Sequence, residues 1–442
     1  MKASRGFRRY LGNVSWVVTE RVFRILVSFG VTILMARYLG PDRFGVLNYA
    51  VSFAAIFSGL STVGLDQIVV RELVLHDRQA GEILGTALFL RLISSLIMTG
   101  VAVSVAFLVS RDLTANLMIM LLCLSSLFQA AGVIDWYFQA KVLSRFVVRV
   151  QLISVMVSGL ATAGLVFLGL SVLWFVLPKI AESFTLCAGL IYVFSRNVGP
   201  LRGWKAKMTR AKDLLRDSWP LVLTGIFIGI YMRTDQVMIK YFMGDTAVGY
   251  YAVAVRLCEA WYFLPMAVVT SLFPAIVSAR KADTPLYHRR LQNLYDLMTW
   301  LAVAIAVPMS FFSKDLIKLL FGAQYLESYG ILVLYVWTGV FVFQGVVRSK
   351  WIVAENLQIY GFWFAFCSAV VNIALNLVLI PLMGLLGAAL ATVISQCATV
   401  VVFPLFFEKT RRSSLAILAS FDLVRVIGKL ASRGLYAGRI DG

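Results

Sequence analysis

Twelve charged side chains stand inside stretches that are otherwise apolar enough to cross a bilayer. They are Glu20, Arg21 and Arg24; Arg91; Asp135; Arg149; Lys179 and Glu182; Arg233 and Asp235; and Arg256 and Glu259. A charge carried to mid-bilayer costs about 2.5–3.5 kcal/mol on insertion scales, so twelve facing lipid would cost on the order of 30–40 kcal/mol. Protein stability is only about 5–15 kcal/mol. These groups must therefore face one another or water. Seven cations meet five acids, and a cavity with that surplus attracts anions. Arginine forks match phosphate oxygens two at a time. The chemistry on offer is binding: Arg21, Arg24, Arg233 and Arg256 as anion ligands, with Glu20, Asp235, Glu259, Lys179 and Glu182 as coupling or charge-pairing groups.

Spacing refines this reading. Glu20 and Arg24 are four apart, while Lys179 and Glu182, and likewise Arg256 and Glu259, are three apart. Such pairs share a helix face and can hold salt-bridge contact. They serve either as local pairs that secure packing or as part of a hydrated path, and spacing leaves both open. Arg91, Arg149 and Asp135 have no partner on their own helix and read as packing or topology groups. Pro265 and Pro274 interrupt the same apolar run as Arg256 and let its helix bend.

Enzyme chemistry finds little support. The cysteines (Cys123, Cys187, Cys258, Cys367 and Cys397) all fall in apolar segments, and His76 and His288 lie in polar connections. Neither set has ligand spacing, so no metal is expected. No G-K-[ST] phosphate loop appears, so no nucleotide cofactor is expected. The outside loops are too short for a catalytic constellation, and a glycan polymerase is the weaker class.

The elements that carry these charges follow from composition. The 442 residues are 60% hydrophobic and 14% charged, with net charge +19. Soluble domains are nearer a quarter charged, so an all-α polytopic membrane protein is predicted. Windows of about 20 apolar residues, enough to cross about 30 Å of hydrocarbon, predict twelve spans. They lie near 12–36, 44–65, 83–109, 114–139, 146–170, 172–195, 218–243, 248–278, 295–313, 329–347, 358–381 and 384–407. The start, basic then apolar, is broken by Glu20-Arg21 and reads as an uncleaved first span rather than a signal peptide.

With a cytoplasmic amino terminus, 28 lysines and arginines fall inside and six outside. That bias places both termini in the cytoplasm. Residues 1–200 then form an N-terminal six-helix bundle, 201–217 a cytoplasmic basic linker, 218–407 a C-terminal six-helix bundle and 408–442 a cytoplasmic amphipathic basic tail. The basic linker suits anionic lipid heads, and the tail suits a helix lying on the inner leaflet. The halves also echo one another. In "ARYLGPDRFGVLNYAV" (36–51) and "IKYFMGDTAVGYYAVAV" (239–255), Arg37-Tyr38 matches Lys240-Tyr241 and Gly45 matches Gly249, allowing one inserted residue. Six helices per half make these parallel repeats, with the two bundles around a central cavity.

Four stretches carry a resemblance over nearly the whole chain: 36–50, "YFMGDTAVGYYAVAVRLCEAWYFLPMAVVTSLFPAI" (241–276), 321–358 and "NIALNLVLIPLMGLLGAALATVISQ" (372–396). They resemble the O-antigen and capsule-type polysaccharide flippases, in the polysaccharide transport family of the multidrug/oligosaccharidyl-lipid/polysaccharide exporter superfamily. The resemblance implies alternating access and transfer of undecaprenyl-diphosphate-linked oligosaccharide across the bacterial inner membrane. It also implies arginines of the first and eighth spans near the diphosphate, which here are Arg21 or Arg24, and Arg256. Membrane lipids and other polysaccharide-assembly membrane proteins are the expected partners, with no nucleic acid. No cofactor is expected, and coupling falls to a proton or sodium gradient or to membrane potential. A multidrug or cation-coupled exporter of the same superfamily is the alternative, and a membrane scaffold the remaining one.

Overall fold

The computed structural model describes residues 2–61, 64–282 and 284–425, with side chains over 20–59, 64–219, 222–280 and 284–425. Every regular element among them is helical. Among the described residues, eleven intervals are long and apolar enough to cross a membrane, so the chain is a multi-pass membrane protein. The first interval, Glu20–Gly59, runs for 40 residues. Inside it Gly40 leaves the helical region, with φ 71° and ψ 172°, a conformation open essentially to glycine alone. Pro41 then starts the next helical stretch, where its missing N–H is no loss. Divided there, the intervals give the twelve expected spans.

The chain forms two compact units, residues 1–256 with 317–327, and residues 257–316 with 328–442. In the first unit the helices are α1 (Lys2–Ser61), α2 (Asp66–Leu75), α3 (Ala80–Val109), α4 (Leu113–Gln129), α5 (Val133–Ala140), α6 (Arg145–Phe167), α7 (Leu177–Asn197), α8 (Met208–Met243) and most of α9 (Asp245–Glu259). Asp112 starts α4 by accepting the Ala115 N–H at 3.2 Å, which satisfies one of the open donors of a helix start. Its core joins Leu65, Val69, Ile83, Ile134, Phe138 and Leu214.

Gly244 repeats the Gly40 geometry, with φ 86° and ψ −173°, just before α9. The matched glycines then meet reciprocally. A Cβ on Gly45 would overlap the carbonyl of Asp245, and one on Gly249 would overlap the carbonyl of Pro41. Thr246 Oγ1 donates to Asp42 Oδ1 across the same crossing at 3.2 Å. The two repeat-related turns therefore pack backbone to backbone. Arg37 Nε closes the end of α12 (Ser313–Leu320) by donating to the Leu320 carbonyl at 2.7 Å. Nearby, Tyr325 donates to the Ala36 carbonyl at 2.9 Å, and burial pushes its phenol above the ordinary range.

The basic linker is strapped down rather than free. Trp204 stands edge-on to Phe194 with centroids 5.3 Å apart, and Gly85 lets the Lys205 backbone come close. Its cations turn to acids of α2 and α3: Lys207 to Glu82, and Arg210 to Glu72 at 3.5 Å. From Met208 onward the linker is already helix, continuous with the following span.

The second unit holds α10 (Phe263–Ala282), α11 (Thr284–Phe311), α13 (Ser328–Tyr335), α14 (Thr338–Ala354), α15 (Gln358–Met383), α16 (Leu385–Cys397), α17 (Phe403–Leu405) and α18 (Glu408–Ser420). Tyr295, Met298 and Ala302 of α11 meet Val340, Phe343 and Val347 of α14 in its core. Asn372 donates to Ser395 Oγ at 3.3 Å, and Asn376 to Asn372 Oδ1 at 3.1 Å, tying α15 to α16.

One expectation changes here. The tenth span reaches Ala354 rather than 347, so Arg348, one residue past the predicted end of that span, is a buried helical residue at 4% exposure. In the described part of the tail, one face of α18 packs inward. Thr410, Ser413, Ser414, Ile417 and Ser420 of α18 are buried, and Arg348 donates to Ser414 Oγ at 2.9 Å. A face of hydroxyls reads as polar in sequence, yet it packs closely once a buried cation supplies its hydrogen bonds. Lys429 and Arg433 of that tail lie outside the described residues.

Candidate functional site

The first unit contains two cavities that follow one another along α1. The nearer to its start holds about 540 Å³ and is lined by Glu20, Arg21, Arg24, Asp135, Gln139 and Gln151 among others. The next holds about 240 Å³ and is lined by Ser28, Thr32, Asn48, Lys179, Glu182 and Arg256 among others. The lining residues of α1 progress from Glu20 through Arg24 to Ser28, Thr32 and Met35, steps of three or four that keep one face of the helix in view.

An ion network joins the two hollows. Arg24 Nε donates to Glu20 Oε1 at 2.6 Å, and its Nη1 stands 3.8 Å from Glu182 Oε1. Lys179 Nζ donates to the other oxygen of Glu182 at 3.0 Å. Glu20 is 7% exposed, and Arg24 is the cation set against it. Two acids and two cations thus alternate from α1 to α7, with one long contact, Arg24 to Glu182, at the junction. A 3.8 Å separation is an ion pair without a hydrogen bond. It is the contact most easily exchanged.

The sequence-selected residues divide. Arg21, Arg24 and Glu20 line the first cavity, and Lys179, Glu182 and Arg256 line the second. Arg233 and Asp235 lie on α8 and line neither. Asp235, at 4% exposure, accepts a hydrogen bond from Tyr251 at 2.9 Å, a packing arrangement between α8 and α9. Glu259 belongs to the second unit. Four cations and three acids line the hollows, Asp135 included, so the positive surplus is one charge rather than the two of the whole set.

Asp135, read from sequence as a packing or topology group, lines the first cavity. It looked solitary because its neighbours in space come from α1, whereas the one signal on its own helix is Gln139, four residues on. Arg91, by contrast, lies over Trp136 at 5.1 Å from the ring centroid and against the bare face of Gly132. It fastens α3 to the α5 region and lines neither cavity.

Known proteins bear on this arrangement. The chain is 29% identical over 252 residues to the probable flippase AglR of Haloferax volcanii, which covers 54% of this chain and 50% of that protein. The chain thus spans about half the length of the curated relatives it matches. In fold it is similar to an inward-facing multidrug resistance MATE family transporter of the MOP superfamily, with TM-score 0.72, 13% identity, and 92% of this chain and 96% of that one covered. It is equally similar to the lipid II flippase MurJ in an inward closed conformation, with TM-score 0.71, 16% identity, and 93% and 92% covered. The family model described as polysaccharide biosynthesis protein matches residues 34–330. That match takes in well over half of the sequence, and the chain belongs to the polysaccharide biosynthesis protein family.

Proposed function

We propose that the protein is a flippase for a lipid-linked glycan, with undecaprenyl-diphosphate-linked oligosaccharide as its cargo in a bacterial inner membrane. The diphosphate engages Arg24 and Arg21 first and Arg256 further along, while the glycan follows the hydrated hollows and the lipid tail stays in the bilayer. Both termini face the cytoplasm, and the cycle is one of alternating access. The observation that carries this reading is the ion network where the two cavities meet, with its weak Arg24–Glu182 contact. A diphosphate that displaces Glu182 keeps the arginine paired throughout, so no step leaves a bare buried charge. A proton or sodium gradient, or membrane potential, drives the movement. Transport of this kind makes and breaks no covalent bond in the cargo.

Charge-neutral double substitution tests it. R24Q/R256Q is expected to fold and reach the membrane yet leave lipid-linked glycan on the cytoplasmic leaflet, cutting transfer by about a hundredfold if each phosphate contact contributes about tenfold. Normal surface glycan in that folded variant sinks the diphosphate assignment.

A second reading, a cation-coupled multidrug exporter, is favoured by one feature. In the first cavity Glu20 and Asp135 balance Arg21 and Arg24, so this hollow does not repel organic cations. Efflux of cationic dyes by vesicles that fail to restore surface glycan decides for that reading.

A further inference from the structure

The second unit carries a cavity that the proposed transport path leaves unused. It holds about 440 Å³ and opens between the start of α11, the end of α14 and one face of α18. Lys409 and Arg412 line it from α18, three residues apart and hence on one face. Glu355 is the one acid in the lining. Its charge is already met: Arg280 Nη2 donates to Oε2 at 2.7 Å, and the Tyr287 hydroxyl donates to Oε1 at 2.7 Å. Lys409 and Arg412 have no acidic partner among the described residues.

These two cations are held together by a stiff mount. Besides the Arg348–Ser414 bond, Tyr295 and Ser413 share a hydrogen bond of 2.8 Å. Gln292 donates to the Ala416 carbonyl at 2.8 Å. The mount keeps both side chains turned to the cavity, and like charges three residues apart on one helix repel. A bound anion relieves that repulsion. The cavity sits at the polar ends of the apolar intervals 245–280, 328–354 and 385–405, the level of phosphate groups in a bilayer. The excess of lysine and arginine on this side marks it as cytoplasmic.

We propose that this cavity is a phosphate-binding site at the cytoplasmic membrane face, separate from the transport path. Lys409 supplies a mobile point charge and Arg412 a planar fork, a combination suited to a phosphate oxygen triad. Arg280, fixed by Glu355, forms the rim. The source of the phosphate is either an anionic phospholipid headgroup or a free phosphate anion. The reading does not depend on the proposed cargo.

The test uses the full chain in nanodiscs of phosphatidylcholine, alone or with phosphatidylglycerol, and counts retained lipid by native mass spectrometry. Inorganic phosphate is titrated separately into the phosphatidylcholine sample, with thermal unfolding as readout. K409Q/R412Q is compared with K350Q/R411Q, a control that removes the same charge from residues outside the cavity lining. A loss of about tenfold in retained phosphatidylglycerol, confined to K409Q/R412Q, identifies a headgroup site. A phosphate-induced stabilisation lost only in that variant identifies a free anion. Equal losses in both double variants, or no binding of either probe to the parent protein, overturns the proposal. Should the double variant not fold, single R412Q replaces it, with an intermediate loss expected and an unchanged value overturning the site.

Discussion

Two arginines within membrane spans, Arg24 in the first unit and Arg348 in the second, solve the same problem in opposite ways. Arg24 is a third exposed, faces a cavity and is shared between carboxylates, one at 2.6 Å and one at 3.8 Å. Arg348 is 4% exposed and, among the described residues, meets neutral oxygens: the hydroxyls of Ser413, Ser414 and Tyr295 and the Thr399 carbonyl. A cation between acids beside a hollow can exchange one anionic partner for another with little change in its own energy. A cation solvated by hydroxyls of a packed helix cannot, because those hydroxyls are fixed by the fold. The difference separates a group able to change partners from one fixed in place by the fold.

The sharpest way to break the comparison is to remove Arg348. R348M keeps most of the volume but strips Ser413, Ser414 and Tyr295 of a shared charged neighbour. Buried polar groups left without partners cost about 1–3 kcal/mol each, so a loss of about 3 kcal/mol is expected, with α18 detaching first. Thermal unfolding in detergent and proteolysis near residues 408–420 measure it. Wild-type stability for R348M means that Arg348 is not the anchor, and the contrast with Arg24 fails.

R24Q should do the reverse. Glutamine can still donate to Glu20, and the site borders a cavity that admits water. Folding is expected to be retained to within about 1 kcal/mol. Transfer of the lipid-linked glycan should fall by about tenfold to thirtyfold, the size of one lost charge-assisted contact. A variant that unfolds like R348M shows that Arg24 is a packing group after all. In vesicles, protected and exposed glycan can be counted with a lectin from either side.

Much of the fold was legible because hydrocarbon imposes a simple rule. Apolar length located the spans, and the glycines matched by repeat, Gly45 and Gly249, proved to be those that let two backbones touch. The local pairs at Glu20–Arg24 and Lys179–Glu182 were legible because helix spacing alone brings them together. What spacing could not show is the long-range Arg24–Glu182 contact, which joins α1 to α7 across 158 positions of sequence. Asp135 looked unpartnered in sequence for the same reason. Arg348 was misplaced because charge near a span end reads as a loop, whereas its hydroxyl partners come from a helix 65 residues later. One-helix patterns reveal pairs; networks between helices need the fold.

The mildest variant, K179Q, asks whether the far end of the network matters. Lys179 is 53% exposed and touches only Glu182 within it, at 3.0 Å. An exposed pair at this spacing contributes about 0.3–0.5 kcal/mol, so stability should barely move. Its influence on transport runs through Glu182. Without Lys179, Glu182 loses its nearer cation and should lean further toward Arg24, tightening the contact that cargo must replace. The expected result is a fall in transfer of about twofold, with the larger effect at low ionic strength, where the lost attraction is least screened. If K179Q instead speeds transfer, Lys179 holds the network closed, and Arg24 is then limited by its escape from a latch rather than by its choice among acids.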